Sequence, residues 1–241
     1  SATLSNFDRH IFNIKGELSN LNGQIVNLSG YFDADAIDKI SKPDGQINLS
    51  VNKFDINAFR PWLDYPVEII SANGNIDIRC DFKNGQITYI DSKLDVKDFI
   101  TKINQAHEEP LTLKEFEGQI SYINKKNIAS INISKVNVVT DNGINIDEGE
   151  FQILINSIEE KVQQLKIKLN KINLKSAQEI IRHIPYTKSI QSIVKEIDPS
   201  GQLRDLDLNW KNPNDDTPDF LLKGQLLNVS INPYKNFPGI K

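Results

Sequence analysis

Alternation of apolar and polar residues runs through most of the chain. In GNIDIRCDF, from Gly74 to Phe82, apolar residues fill every second position and Asp or Arg fills most positions between them. Successive side chains of a β-strand point to opposite faces, so the pattern predicts a strand with one dry and one wet face. Because similar stretches recur from one turn signal to the next, we predict a mainly β protein.

A short phrase also recurs along the chain, as NKFDI, SKLDV, SKVNV and NKINL. Each copy has a small polar residue, a lysine, an apolar residue, Asp or Asn, and another apolar residue. The first apolar members are Phe54, Leu94, Val136 and Ile172. Their spacing of roughly 40 residues is in the range of known structural repeats. The phrase therefore predicts a repeated supersecondary unit.

Around the phrase, the alternation gains one residue. The apolar positions of INLSVNKFDI, INISKVNV and KIKLNKINL advance by two, three and two. A β-bulge in each strand keeps all four apolar side chains on the dry face, and recurring bulges curve a sheet in one direction. We predict a long, curved antiparallel β-sheet, a groove like a folded taco, with bulged repeat strands and a few short helices. The residues assigned to its dry lining are Leu49, Val51, Phe54, Ile56, Ile76, Ile78, Ile131, Ile133, Val136, Val138, Ile167, Leu169, Ile172 and Leu174.

Turn signals separate the strands, and the strongest is Asn84-Gly85, which predicts a tight hairpin. The others are Asp44-Gly45, Asn73-Gly74, Asn142-Gly143 and Ser200-Gly201.

Short helices are predicted after several copies of the phrase. NAFRPWL is brief, and KDFITKINQAH is a second candidate. SAQEIIRHI opens with a capping box of Ser176 and Glu179, and TKSIQSIVKEI has helical apolar spacing before Pro199. The last two form a predicted helical insertion at 175–198. The helices either cover an open end of the sheet or pack on it as in ordinary α+β proteins.

Composition limits the remaining choices. The 241 residues are 39% hydrophobic and 25% charged, a modest supply of core material for a two-layered protein. The formal net charge of −4 gives no basic footprint for a phosphate backbone, so we expect no nucleic-acid partner. Since no low-complexity linker divides the chain, we expect one continuous β-rich segment over residues 1–241. The absence of methionine predicts that it is a piece of a larger protein.

The sequence offers no reactive cluster. Cys80 is the single cysteine and occupies an apolar position of a strand, where a thiol acts as a small hydrophobe. His10, His107 and His183 lie far apart, and the acidic loop around 215–219 lacks the spacing of a calcium loop. Phosphate-binding loops and nucleophile elbows are absent. We expect no enzyme activity, cofactor or metal.

The dry face itself is the best candidate for function. It must be covered by a second sheet, a helix layer or a ligand. Its Ile, Leu and Val side chains suit acyl chains, because each buried methylene contributes about 0.8 kcal/mol and needs no hydrogen bond. The sequence therefore favours a lipid-binding trough.

Near the C-terminus, IDPSGQLRDLDLNW is followed, after a polar loop, by FLLKGQLLNVSINPYKNFPGI. These two stretches resemble the AsmA-like proteins of the YhdP type. That family has a Pro-x-Gly-x-Leu-x-Asp-Leu strand, then a Leu-x-Asn-x-Ser strand that leads to a Pro-Gly turn. The matching residues here are Pro199, Gly201, Leu203, Asp205 and Leu206, then Leu226 or Leu227 with Asn228 and Ser230, then Pro238 and Gly239. The resemblance extends from about residue 45 to the end and more weakly to the start.

This resemblance implies a periplasmic segment of an inner-membrane-anchored protein of diderm bacteria. Such proteins are implicated in carrying phospholipids toward the outer membrane, and their contacts with both membranes would involve parts outside this chain. The expected partners are phospholipid acyl chains, and the family brings no catalytic residues. The alternative is a closed β-sandwich, a non-lipid module that assists outer-membrane protein assembly or envelope integrity. An enzyme is the third reading and would need a pocket of clustered polar groups.

Overall fold

The fold is dominated by one sheet of twelve strands in the part of the chain that the structure describes. The structure is a computed structural model, and it describes residues 1–6, 9–18, 24–33, 42–56, 68–102, 110–141, 145–156, 158–159, 161–183, 188–212, 219–236 and 238–239. The strands are β1 (Ala2–Asn6), β2 (Arg9–Leu18), β3 (Gln24–Asp33), β4 (Asp44–Asp55), β5 (Glu68–Lys83), β6 (Gln86–Lys102), β7 (Leu111–Lys125), β8 (Ile128–Thr140), β9 (Asn145–Asn156), β10 (Lys161–Asn173), β11 (Ser200–Lys211) and β12 (Asp219–Ser230). The helices are α1 (Leu174–His183) and α2 (Lys188–Ile197).

Each strand pairs with its neighbours in the chain, and all the pairs are antiparallel. The sheet is open and curved, which confirms the predicted fold class. Among the described residues, extensive contacts between strands join chain neighbours only. The closed β-sandwich is therefore wrong as an architecture, since a sandwich requires a second sheet facing the first.

Cross-strand register separates the two faces. Val51, Ile76 and Leu94 lie directly opposite one another on β4, β5 and β6. The adjoining row places Asn75 between Asn52 and Asp95. Because directly opposed residues share a face, apolar residues line up with apolar residues and polar with polar.

The predicted bulges of β4 and β8 are confirmed. The register shifts between Asn52 and Phe54 and between Ile133 and Val136. In each strand the lysine of the phrase takes up the extra length in a left-handed conformation, with φ of 56° at Lys53 and 53° at Lys135. The apolar residues on both sides of each bulge therefore keep to the dry face.

The bulge predicted for β10 is not seen as a register shift, because β9 and β11 advance by the same number of residues as β10 at this level. Leu169 and Ile172 are nevertheless both buried. The left-handed residues at this level lie on the flanking strands, at Glu148 of β9 and Asp205 of β11. Asn170 of β10 donates a hydrogen bond of 2.7 Å to the Glu148 carboxylate. The three neighbouring strands β9, β10 and β11 thus each accommodate an additional residue at the same level of the sheet.

The four copies of the phrase fall on β4, β6, β8 and β10, every second strand. The repeated unit is therefore a pair of antiparallel strands. In β6 and β8, the Asp or Asn of the phrase forms hydrogen bonds to a neighbouring strand on the wet face. Asp95 accepts a hydrogen bond from the Asn75 side-chain amide at 3.2 Å. Asn137 accepts from the Glu148 backbone N–H at 3.3 Å, where β9 bulges. Asn137 thus satisfies a backbone group that the β9 bulge releases from the ladder.

The hairpin at Asn84-Gly85 is confirmed. Both residues have positive φ, 51° and 72°, as a type I′ turn requires. The Asn84 N–H donates to the Asp44 carboxylate at 2.6 Å, which fixes the turn against β4.

Three other turn predictions are wrong, because Asp44-Gly45, Asn73-Gly74 and Ser200-Gly201 lie within strands. Gly74 shows why a strand needs a glycine: a Cβ there would lie 2.0 Å from the Asp95 carbonyl oxygen. Gly74 is therefore required because β5 and β6 approach each other closely, and not because the chain turns there. Asn142-Gly143 lies outside the described residues, and a turn at Lys126-Asn127 carried no signal that we recognised.

The helix predictions had mixed outcomes. The helix at SAQEIIRHI begins earlier than predicted, at Leu174, and its cap is Asn173, whose side-chain oxygen accepts from the Lys175 N–H at 2.9 Å. Ser176 lies inside α1 and not at its start. TKSIQSIVKEI contains α2, which ends just before Pro199.

The helix predicted for KDFITKINQAH is wrong over Lys97–Lys102, which is part of β6. Asp98 bulges there with φ 51°, so Phe99 and Thr101 both reach the dry face. Pairing with β7 outweighs the local helical spacing. Residues 103–107, and 57–63 of the brief NAFRPWL candidate, lie outside the described part.

Candidate functional site

The dry face has two long borders, formed by the two sets of strand ends. One border, the hairpin rim, contains the tight turns at 84–85 and 126–127. The opposite border, the helix rim, is where β10 ends and α1 and α2 follow. Because a strand of about 12 residues is roughly 40 Å long, the two rims are separated by about that distance. The sheet is roughly 50 Å wide, since twelve strands have eleven spacings between them.

The half of the dry face nearer the helix rim is packed. Its buried residues form two clusters, one on β4 to β6 and one on β7 to β10, and Phe99 and Phe116 pack against both. Ala177 of α1 packs against the second cluster. This half provides the hydrophobic core of the described molecule.

The half nearer the hairpin rim is less covered. Dry-face residues such as Leu49, Ile78 and Ile131 are half-buried, and Ile47 and Leu222 are exposed. The dry face therefore combines a protein-packed half with a half that retains open apolar surface.

The structure brings twelve of the fourteen predicted lining residues onto one face by cross-strand register. Ile56 follows the end of β4 and is buried in the first cluster. Leu174 is the first residue of α1 and not part of a strand. The residues in the packed half are Val51, Phe54, Ile56, Val136, Val138, Leu169 and Ile172. The half-buried strand residues are Leu49, Ile76, Ile78, Ile131, Ile133 and Ile167.

Several dry-face residues were missed by the sequence reasoning. Among them are the three rings Phe99, Phe116 and Phe151, which pack in or between the clusters. The signal for Phe99 was present, because Leu94, Val96 and Phe99 already follow the two-three step. The helical prediction for that segment obscured it.

Hydrogen-bonded polar side chains cover much of the wet face. Gln152 donates to Asn132 at 2.7 Å, and Gln164 donates to Asn209 at 2.6 Å. Two shallow depressions of about 330 and 260 Å³ lie mainly among such polar side chains. Both depressions are open to solvent.

Arg79 and Asp81 form an ion pair on the wet face. The Arg79 guanidinium binds both oxygens of Asp81, at 3.1 and 3.0 Å. These bonds hold the pKa of the Asp81 carboxyl below its ordinary value, against partial desolvation and with help from Gln46. Because the Arg79 side chain is half exposed, the pair adds little stability.

The candidate reactive residues do not come together. Cys80 lies on the dry face between Ile47 and Ile90, and partial burial raises its thiol pKa. His10 stacks on Phe32 at 4.6 Å. In the described part of the chain no three His, Cys, Asp or Glu side chains form a group that could hold a metal ion. The side chains of His107 and His183, and residues Asp215 and Asp216, lie outside that part, and Asp219 begins β12.

Comparison with protein families decides the identity of this sheet. The family model described as YhdP protein matches residues 2–241. The chain belongs to the YhdP family. The match covers nearly the whole sequence, including the N-terminal strands where the resemblance was weakest. Comparisons with curated proteins and with solved structures gave no match.

Membership in the YhdP family fits the architecture. The C-terminal motif that carried the resemblance forms β11 and β12, the last two strands of the sheet. Proteins of the YhdP family are not known as enzymes. No described helix is both long and apolar enough to cross a membrane.

Proposed function

We propose that this chain is a non-enzymatic segment of a hydrophobic groove that conducts phospholipids between the inner and outer membranes of a diderm bacterium. Acyl chains lie on the dry face, and headgroups remain in solvent beyond the hairpin rim. The segment works in the periplasm, in a protein anchored in the inner membrane.

The observation that carries this proposal is a continuous apolar face on an open sheet. The face runs from Phe12 of β2 to Leu222 of β12 without a second sheet against it in the described residues. Its open half shows half-buried aliphatic side chains in place of a sealed core. Hydrocarbon is suited to such a surface because burial alone, at about 25 cal/mol per Å² of apolar area, stabilises the contact.

The arrangement also suits movement along the groove. The middle of the open half consists largely of aliphatic side chains, so an acyl chain meets similar surfaces on successive strands. Among the described residues, the dry-face rows of the open half contain no charged side chain that would hold one lipid in place. A trough that binds weakly at many positions allows transfer.

The test is photo-crosslinking in living cells, with the full-length protein. A photoreactive amino acid is placed at Ile78, which lies half-buried on the dry face, or at the neighbouring Asp77, which is exposed on the wet face. We expect covalent phospholipid at Ile78 and none at Asp77. Asp77 is a better control than Arg79, because Arg79 is tied to Asp81. Lipid at neither position, with crosslinks only inside the protein, would contradict the proposal.

One observation favours the second candidate, a module that binds other proteins. The outermost strand β12 has three exposed leucines, Leu221, Leu222 and Leu226, and an edge strand accepts a partner strand by main-chain pairing. Crosslinks from Leu221 to another protein, together with no lipid at Ile78, would support this candidate over lipid transfer.

A further inference from the structure

Three buried side-chain atoms have no hydrogen-bond partner among the described residues: Gln24 Oε1, Asn124 Oδ1 and Trp210 Nε1. Register places all three residues on the dry face. Gln24 lies opposite Leu18, Asn124 opposite Ala129, and Trp210 opposite Leu165.

All three also lie at strand ends. Gln24 is the first residue of β3, and Asn124 and Trp210 are the penultimate residues of β7 and β11. Asn124 and Trp210 are on the hairpin rim, beside the open half of the face. The dry face is thus mainly apolar in the middle and has unused hydrogen-bonding groups at its borders.

An unpaired indole N–H is costly. A buried donor without an acceptor costs about 1–3 kcal/mol, and a buried tryptophan N–H usually has a partner. Tryptophan is favoured where hydrocarbon meets polar groups, because its ring is apolar and its N–H is a donor. Trp210 has this position at the border of the trough.

A glycerophospholipid has a matching profile. Its hydrocarbon chains begin at ester carbonyls, which accept hydrogen bonds, and the headgroup follows. With the chains on the open half of the dry face, the ester groups reach the hairpin rim. We propose that Trp210 is a subsite for acylated glycerol lipids, in which its Nε1–H donates a hydrogen bond to an ester carbonyl oxygen. The inference rests on the proposed function.

The neighbourhood of Trp210 allows such a ligand to enter. Leu222, opposite Leu208 in the adjoining dry-face row, is 55% exposed on the edge strand β12. A side chain so little packed can move aside for a lipid. Asn124 lies four strands away, roughly 19 Å along the rim, so it belongs to a different lipid position.

The test compares two soluble probes that differ only in the carbonyl groups. Diheptanoyl phosphocholine has two esters, and its diheptyl ether counterpart has the same chain length without carbonyls. With the 241-residue chain, we expect the ester lipid to bind about fivefold more tightly than the ether lipid, the effect of one neutral hydrogen bond. Titration calorimetry gives both dissociation constants.

Variants assign the preference to one atom. Trp210→Phe keeps an aromatic ring but removes the donor, so ester binding should fall to the ether level while ether binding stays unchanged. The control is Tyr89→Phe, which removes a side-chain donor from the wet face, where Tyr89 lies opposite Asp81 and its ring contacts the Arg79 guanidinium. This control should keep the full ester preference.

A spectroscopic readout on the unaltered chain supports the same conclusion without relying on the variant's fold. The chain has two tryptophans, and their indole N–H resonances are separated by comparison with Trp62→Phe. We expect the Trp210 resonance to move downfield on addition of the ester lipid and not of the ether lipid.

The outcomes separate the two proposals. Equal binding of both lipids, with an unmoved Trp210 resonance, overturns the role of Trp210 and leaves the lipid groove standing. Binding of neither lipid overturns the groove and the subsite together. An ester preference that persists in a folded Trp210→Phe variant places the donor elsewhere and overturns this assignment.

Discussion

At the scale of single residues, the bulges depend on side chains that tolerate a left-handed backbone. Lys53, Asp98, Lys135 and Glu148 all have φ between 51° and 56°. The side chains of all four residues are exposed, so a charged residue at these positions removes no packing from the core. The chain uses charged residues at positions where glycine would be the default.

Replacing Lys53 with valine tests this account. A β-branched residue is a strong outlier at positive φ, so we expect Lys53→Val to lower the free energy of unfolding by about 1–3 kcal/mol. The control is Lys93→Val, an exposed wet-face position without positive φ, which should change it by less than about 0.5 kcal/mol. Urea denaturation measures both variants. Equal effects would mean that the backbone conformation at Lys53 carries no special cost.

At the scale of elements, strand pairing depends on close approach at a few glycines. A Cβ at Gly74 would lie 2.0 Å from the Asp95 carbonyl oxygen, across the β5–β6 pair. At Gly16 of β2, nothing lies within 4 Å of an added Cβ. The two positions make a matched pair on one sheet.

We expect Gly74→Ala to destabilise the protein by about 1–3 kcal/mol, because the methyl group pushes β5 away from β6 and the φ of 150° is strained for alanine. Gly16→Ala should be neutral or stabilising by about 0.4–1 kcal/mol, since it reduces the entropy of the unfolded chain. Hydrogen exchange should also speed up for β5 and β6 amides in Gly74→Ala alone. Unchanged protection of these amides would refute the close approach.

At the scale of the whole molecule, the dry face divides into a half that holds the fold and a half that is open to ligand. Val136 is 3% exposed in the packed half, whereas Ile131 of the same strand is half-buried nearer the hairpin rim. Stability and lipid binding should therefore respond to different residues of one strand.

A charge introduced into each half separates the two roles. Val136→Asp buries an unpaired carboxylate, so we expect a loss of more than about 3 kcal/mol of stability or failure to fold. Ile131→Asp should cost about 1 kcal/mol and weaken diheptanoyl phosphocholine binding about tenfold, because its carboxylate meets the acyl chains. Urea denaturation and calorimetry measure the two effects. An Ile131→Asp variant that binds lipid normally would show that the open half is not the binding surface.

The sequence by itself determined the features that depend on local chemistry. Alternation assigned the faces of β4, β5, β8 and β10, since side chains of a strand point to opposite sides. The extra residue at Lys53 and Lys135 and the turn at Asn84-Gly85 were also predictable, because bulges and type I′ turns have local signatures.

Only the tertiary structure decided the rest. Lys97–Lys102 became strand because β5 and β7 pair on both sides of it, and Gly74 entered a strand because another backbone passes close by. The division into packed and open halves, and the unpaired Nε1 of Trp210, depend on which side chains arrive from other strands. Burial and hydrogen-bond partners are set by neighbours distant in the chain, so no local pattern determines them.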